Sequence, residues 1–140
     1  MSKSSENTNT IDAADERGWT ALHRAARDGD VLEVERLLAA GANVDARTTA
    51  YVLGVARDST PLIVATRFKH FDVMRLLLDS GADIDACHDD GYGNENTSMR
   101  SNNAPRSWTP LYYAVEHGPL KNVDYLIWKG ANVNSIDKNR

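Results

Sequence analysis

The sequence contains very little cysteine, few aromatic residues and no long hydrophobic run. Cys87 is the single cysteine, which excludes an internal disulfide framework and suits a reducing compartment. No run approaches the ~18 apolar residues that span a bilayer, and residues 1–10 have no apolar core of the kind found in secretion signals. We therefore expect a soluble, cytoplasmic protein without a membrane partner.

Basic residues are also too few to form a phosphate-binding surface. Lys and Arg number 16 against 20 Asp and Glu, which gives a net charge of −4 at pH 7. This balance argues against nucleic acid as a partner, because nucleic-acid surfaces attract clustered cations. With 140 residues, of which 41% are hydrophobic, the chain has room for one domain with a modest core.

Three segments of the sequence, which begin at Thr20, Thr60 and Thr109, align with one another without gaps. Apolar residues recur at the same places in all three, which predicts repeated units that share one core. These residues are Leu22, Leu62 and Leu111, then Ala25, Ala65 and Ala114, and then Leu37, Leu77 and Leu126.

Each segment is predicted to form two short helices joined by a turn. Thr-Pro pairs at 60–61 and 109–110 supply an N-cap oxygen followed by a proline at the first helical position, where its missing N–H costs nothing. Val34, Leu37 and Leu38 have the i, i+3, i+4 spacing of an apolar stripe on the second helix.

The turn between the two helices carries glycine in two of the three segments. Gly29 and Gly118 are predicted to end the first helix in a left-handed conformation. Lys69 stands at the equivalent place in the second segment, where a left-handed backbone would strain it by about 1 kcal/mol.

The pattern T-P-L-H-x-A, G, LL-x-x-GA and then V-D-A or V-N is similar to the ankyrin repeat, a β-turn followed by two antiparallel helices. This resemblance implies an all-α fold, a solenoid of helix-turn-helix repeats joined by β-hairpin fingers. We expect a flexible polar tail at 1–10 and a single domain at 11–140. Its repeats are predicted at about 16–48, 57–88 and 106–137.

The repeats are spaced more widely than the ~33-residue period of the family. Because the helical segments align without gaps, the extra residues are predicted within 47–59 and 88–107. The first insertion is apolar around Val52 and Val55, which favours a hairpin packed on the domain with its bend at Gly54, although partner contact is an alternative. The second insertion is rich in Asn, Ser and Gly, so it is either a mobile loop or a segment that orders on binding.

The ends of a repeat array need polar outer surfaces. One position of the second helix reads Glu33, Val73 and Asn122, polar in both end repeats and apolar in the middle, which favours a self-contained three-repeat domain. Trp128 is expected to shield the end of the solenoid. Residues 137–140 resemble the beginning of a fourth repeat, so the alternative is that the chain is part of a longer array.

No catalytic, metal or cofactor site is predicted. His23 occupies the histidine of the T-P-L-H motif, where the resemblance implies a strut that bonds to the backbone of neighbouring fingers. No nucleophile motif accompanies the histidines. The run at 87–90 contains metal-ligand types, but four consecutive residues rarely converge on one ion. We therefore expect a non-enzymatic protein without a cofactor.

The resemblance implies a partner-binding surface at the finger tips and at the exposed ends of the first helices. Within this surface, Trp19, Phe68 and Trp108 are expected to be exposed hot spots. The alternative for Trp19 and Trp108 is internal packing between adjacent fingers. The predicted contact residues are Glu16, Arg17, Trp19, Arg27, Asp28, Arg67, Phe68, Trp108, Glu116 and His117.

The leading hypothesis is a protein–protein interaction module, monomeric when unbound, that grips one partner protein with its concave face and extended fingers. An inhibitor or immunity-type protein is a narrower form of this hypothesis. The alternative is a small-ligand binder, whose pocket would lie between the two insertions around Tyr51, His88, Tyr92 and Arg100. The sequence does not identify the partner.

Overall fold

The computed structural model describes residues 11–50, 52, 55, 57–89 and 107–133. Within them, six helices form three antiparallel pairs, which confirms the all-α repeat fold. The helices are α1 Ala21–Asp28, α2 Val31–Ala39, α3 Pro61–Arg67, α4 Phe71–Asp79, α5 Pro110–His117 and α6 Leu120–Trp128. The first, or inner, helices α1, α3 and α5 lie side by side, and the outer helices α2, α4 and α6 pack behind them.

Threonine caps begin all three inner helices. The hydroxyl oxygens of Thr20, Thr60 and Thr109 accept the backbone N–H three residues later, at 3.4, 3.3 and 3.2 Å. Pro61 and Pro110 occupy the first helical positions, as predicted. These contacts fix where each repeat begins, because they satisfy donors that a helix start leaves unpaired.

One continuous apolar core joins the three repeats. Leu37, Leu77 and Leu126, one from each outer helix, are all at most 1% exposed and belong to a single cluster. The predicted shared core is therefore confirmed. Each helix pair buries its apolar side only against its neighbours, as expected of a repeat protein.

Hydrogen bonds that aspartate carboxylates accept connect successive repeats along the finger edge. In each, the carboxylate of one connection accepts the backbone N–H of the next connection. The pairs are Asp12 with Asn43 at 2.7 Å, Asp45 with Asp83 at 3.0 Å, and Asp85 with Asn132 at 2.8 Å. These directional bonds help to fix the spacing between repeats along the finger edge.

The first insertion folds back on the domain as a hairpin, as predicted. Val52 and Val55 exchange backbone hydrogen bonds of 3.0 and 2.8 Å, and the N–H of Thr48 donates to the carbonyl of Ser59 at 3.0 Å. Val55 is only 1% exposed and joins the shared core. Gly54, the predicted bend, lies outside the described residues.

The second insertion leaves from a short antiparallel pair of strands. β1 His88–Asp89 pairs with β2 Ser107–Trp108, with His88 opposite Trp108. The insertion therefore has an ordered base on the finger edge.

His23 acts as a strut between the first inner helix and the first finger. Its Nδ1 accepts the backbone N–H of Thr20 at 3.1 Å, so the proton of the neutral ring must lie on Nε2, which donates to the carbonyl of Ser59 at 3.0 Å. The ring is fully buried. Burial holds the pKa of His23 below its ordinary value of 6.5. Both ring nitrogens thus serve the fold.

The turn after the inner helix differs between repeats. Gly29 is left-handed with φ of 71°, as predicted, and Lys69 at the equivalent place is also left-handed with φ of 67°. The prediction is wrong for Gly118, which is extended with φ −92° and ψ 164°. Pro119 follows it, and the proline ring disfavours helical or left-handed backbone at the preceding residue.

Two expectations about the ends of the array are wrong. Asn122 is fully buried, and neither polar atom of its amide has a hydrogen-bond partner in the described part of the chain. Its helix position faces the preceding repeat, since Tyr125, on the adjacent turn of α6, meets the ring of Phe71 at 5.2 Å. Trp128 is 76% exposed, so it does not pack over the end of the array as expected.

We predict that Lys69→Gly stabilises the protein by about 1 kcal/mol, because glycine removes the strain of a left-handed side-chain-bearing residue. The free energy of unfolding in urea measures this effect. Lys69→Ala is the matched control and should give no such gain, because alanine keeps the strain. A lower stability of the glycine variant would contradict the prediction.

We predict that Asn122→Val stabilises the protein by about 1–2 kcal/mol, because it removes a buried amide whose hydrogen bonds are unmade. Val73, at the same position of the second repeat, shows that valine fits there. Glu33→Val is the control in the first repeat, where the side chain is half-exposed, and a much smaller change is expected. Chemical denaturation of both variants tests this, and a destabilised Asn122→Val would refute it.

We predict that stability decreases as the pH falls below about 6.5. Below that pH the unfolded chain binds a proton at His23, whereas burial keeps the ring neutral in the folded chain. The contribution of neutral His23 to the free energy of unfolding is therefore complete above pH 6.5, and it is lost as the pH falls towards the lower pKa of the folded chain. Thermal melts across this pH range measure it. His23→Gln should flatten the profile, whereas His117→Gln, on an exposed side chain, should leave it intact; equal profiles for wild type and His23→Gln would exclude this origin.

Candidate partner-binding surface

Three pairs of neighbouring residues form a row across the ends of the inner helices. Each pair closes its helix, and α3 lies between α1 and α5, so the pairs follow one another across the domain. Asp28, Glu116 and His117 are exposed, and the other members are half-exposed. We call these six residues the binding row: Arg27 and Asp28, Arg67 and Phe68, and Glu116 and His117.

The side chains of the binding row are partly organised already. Arg27 Nε donates to a carboxylate oxygen of Asp28 at 3.0 Å. The guanidinium of Arg67 lies 5.8 Å from the ring centre of Phe68. An arginine held against an aromatic ring presents an apolar face and a charge together, which is a frequent composition of protein-binding hot spots.

Trp19 is not exposed, and this expectation from the sequence is wrong. Its side chain is 2% exposed, and its ring centre lies 5.9 Å from that of His23. The indole Nε1 has no hydrogen-bond partner among the described residues. Arg27 lies over the ring at 5.8 Å, so Trp19 supports a binding-row residue from below instead of offering its own surface.

Glu16 and Arg17 form the exposed tip of the turn before α1. Asp15 holds this turn, because its carboxylate accepts the N–H groups of Arg17 at 2.9 Å and Trp19 at 3.0 Å. These bonds, that from Trp19 foremost, lower the pKa of Asp15. The carbonyl of Arg17 accepts from Thr49 at 2.9 Å, so the tip is bonded to the first finger.

Trp108 is half-buried in an aromatic cluster at the start of α5. Its ring lies 4.3 Å from that of Tyr112 and 5.8 Å from that of Tyr113. Burial, with a smaller effect of the Glu116 carboxylate, raises the pKa of Tyr112. Both alternatives from the sequence apply in part, since one side of Trp108 packs internally and the remainder is accessible.

Sequence reasoning missed Tyr112 as a member of this surface. The available signal was its position in the T-P-L-H-x-A motif: Tyr112 replaces the histidine of the motif, which is His23 in the first repeat. The first finger adds Val55 to the same buried cluster as Val64 on α3, in agreement with the predicted packing of the first insertion.

The ligand pocket that was the alternative from the sequence lies outside what the structure describes. Tyr51, Tyr92 and Arg100 are not among the described residues, and the side chain of His88 is not described. A cavity of about 230 Å³ lies elsewhere in the described part of the chain, beside the turn that joins α3 to α4. Its lining includes Lys69, His70, Phe71 and Lys121.

The described ranges contain neither a metal-ligand cluster nor a membrane-spanning helix. There, no three His, Cys, Asp or Glu side chains group closely enough to hold an ion. None of the helices described is long and apolar enough to cross a membrane.

Comparison with known families matches this architecture. The family described as ankyrin repeats (3 copies) matches residues 3–88, and that described as ankyrin repeats (many copies) matches residues 62–128. These repeats generally mediate protein–protein interactions.

Known proteins similar to this chain include one from a poxvirus and one from mouse. The fowlpox virus (strain NVSL) protein FPV240, whose name describes ankyrin repeats, is 41% identical over 71 residues, or 51% of this chain. The B-cell lymphoma 3 protein homolog of Mus musculus is 34% identical over 125 residues, or 88% of this chain. The aligned stretches span only 16% and 23% of those relatives. With three stacked helix pairs and a family match over more than half of its length, the chain belongs to the ankyrin repeat family.

Proposed function

We propose that this domain is a non-enzymatic module that binds one partner protein through the binding row and the adjoining finger residues. The observation that carries the proposal is the alignment of exposed residues from three adjacent helices into one surface. Their positions are equivalent in the three repeats, so a rigid core presents them together. A rigid surface loses little conformational freedom on binding.

The proposed surface extends along the inner helices towards the finger edge. Trp108 lies at the start of α5 and the pair Glu116 and His117 at its end, which is ~12 Å for eight residues of helix. Glu16 and Arg17 add the tip of the first turn. Trp19 has a supporting role under Arg27 and is not a direct contact in this proposal.

The composition of the surface favours a protein partner with both charge and apolar groups. Charges of both signs surround Phe68, and interfaces of this kind combine an apolar centre with a polar rim. A narrower proposal is that the partner is an enzyme inhibited by the second insertion, which leaves the domain at the β1–β2 pair. Deletion of residues 93–106 would abolish inhibition but preserve docking in that case.

The experiment is affinity capture followed by mass spectrometry with a charge-reversed binding row. The triple variant Asp28→Lys, Arg67→Glu and Glu116→Lys should lose at least about tenfold in affinity for the captured protein, because opposed charges replace complementary ones. Purified partner and isothermal titration calorimetry then give the affinity of each variant.

The outer helices offer a matched control. Glu35, Arg75 and Asp124 are exposed at equivalent positions of the three outer helices, and reversing them changes the net charge by the same amount. The variant Glu35→Lys, Arg75→Glu and Asp124→Lys should bind normally. If the control loses binding while the binding-row variant retains it, the proposed surface is wrong.

A further inference from the structure

We propose that the partner protein docks an acidic segment on the arginine-rich side of the first two repeats. This inference rests on the proposed function, because the acidic segment belongs to the partner that the binding row contacts. The surface concerned comprises the turn before α1, α1 itself, the first finger (residues 47–59) and α3. We call it the arginine face, formed by Arg17, Arg24, Arg27, Arg47, Arg57 and Arg67.

Arginine is concentrated on this side of the molecule. The described part of the chain has eight arginines, and six of them lie on the arginine face, although the whole chain carries a net charge of −4. The same segments carry four carboxylates, those of Asp15, Glu16, Asp28 and Asp58. Elsewhere in the described chain, acidic residues outnumber Lys and Arg by 12 to 5. The arginine face is therefore a positive region on a chain that is otherwise acidic.

Contacts around the start of α1 bring three of these arginines together. The guanidinium of Arg24 lies 3.6 Å from one carboxylate oxygen of Asp15, and the other oxygen accepts the backbone N–H of Arg17 at 2.9 Å. Arg24 also donates to the carbonyl of Trp19 at 3.0 Å, and the guanidinium of Arg27 lies 5.8 Å from the ring centre of Trp19. The turn and the helix thus present one group of cations.

The first finger continues the arginine face from this turn. The carbonyl of Arg17 accepts the N–H of Thr49 at 2.9 Å, which joins the turn to the finger. Within the finger, the guanidinium of Arg47 lies 3.5 Å from the carboxylate of Asp58, and the exposed Arg57 is the next residue in the chain. The finger therefore adds two arginines beside the first group.

The inner helix of the second repeat supplies the last member. α3 packs against α1 and ends at Arg67, the position equivalent to Arg27. The guanidinium of Arg67 lies 5.8 Å from the ring centre of Phe68, which restrains it before a partner binds. The arginine face thus reaches the middle of the binding row.

Half of the guanidinium groups are available to carboxylates of a partner. Three already have a carboxylate partner within the domain, at 3.6, 3.0 and 3.5 Å: Arg24, Arg27 and Arg47. The other three make no ion pair in the part of the chain that the structure describes: Arg17, Arg57 and Arg67. A guanidinium donates two parallel hydrogen bonds to one carboxylate, a geometry that lysine does not offer. The unpaired arginines can therefore bind carboxylates without breaking an ion pair of the domain.

An acidic protein segment fits this surface better than nucleic acid does. Glu16, Asp28 and Asp58 are exposed among the arginines, so the positive charge is divided into separate groups. Nucleic acid carries a phosphate at every nucleotide and would bring some of them against these carboxylates, which is unfavourable. The carboxylates of a protein segment can instead be spaced so that each meets a guanidinium.

Fluorescence anisotropy of a dye-labelled octaglutamate peptide, titrated with the full chain, tests the proposal. An octaglutamine peptide of the same length is the neutral control. We expect octaglutamate to bind and octaglutamine not to bind. Added salt should weaken the binding of octaglutamate, because ions screen exposed charge pairs.

A triple variant of the unpaired arginines identifies the surface. Arg17→Gln combined with Arg57→Gln and Arg67→Gln should lose about tenfold in affinity for octaglutamate, because three exposed charge pairs are removed. The matched control removes one exposed cation from each outer helix and changes the net charge equally: Arg36→Gln, Arg75→Gln and Lys121→Gln. It should bind octaglutamate nearly as the wild type does. Circular dichroism melts establish that each variant is folded.

Three results would overturn the proposal: no binding of octaglutamate, an equal loss of affinity in the two triple variants, or tighter binding of a single-stranded oligothymidylate of the same length. If the arginine-face variant does not fold, Arg57→Gln alone decides, with about a twofold loss expected. The titration contains no partner protein, so its failure removes only the acidic segment. Failure of the proposed function would appear instead as normal capture of the partner by the charge-reversed binding row.

Discussion

The structure depends on the burial of one leucine from each outer helix in a single shared core. A helix pair of this size cannot bury its apolar side alone, so each repeat is stable only when a neighbour covers it. Leu37, Leu77 and Leu126 are the residues through which this requirement is met.

Polar contacts then determine the arrangement of the fingers. Aspartate side chains bond to the backbone of the next connection, and His23 bonds to both its own helix start and the carbonyl of Ser59. These bonds are directional, whereas apolar burial is not. Side chains at the ends of the inner helices can therefore form a defined row on the surface.

Much of the fold followed from local sequence chemistry. The caps at Thr60 and Thr109 and the left-handed Gly29 were predicted correctly, because each depends on residues close in the chain. Gly118 was predicted wrongly, although the following Pro119 was a sufficient signal. For the candidate surface, the sequence placed the binding-row residues at helix ends but could not determine their exposure.

Burial of single side chains was the main source of error. Trp19, Asn122 and Trp128 each had a reasonable position in a repeat, but whether a neighbouring repeat or finger covers that position depends on chain segments far away in sequence. The sequence by itself determined the repeat, its helix boundaries and the shared core, because these arise from local caps and from periodic apolar residues. Only the tertiary structure decided which aromatic and polar side chains face water, because exposure results from the stacking of distant elements.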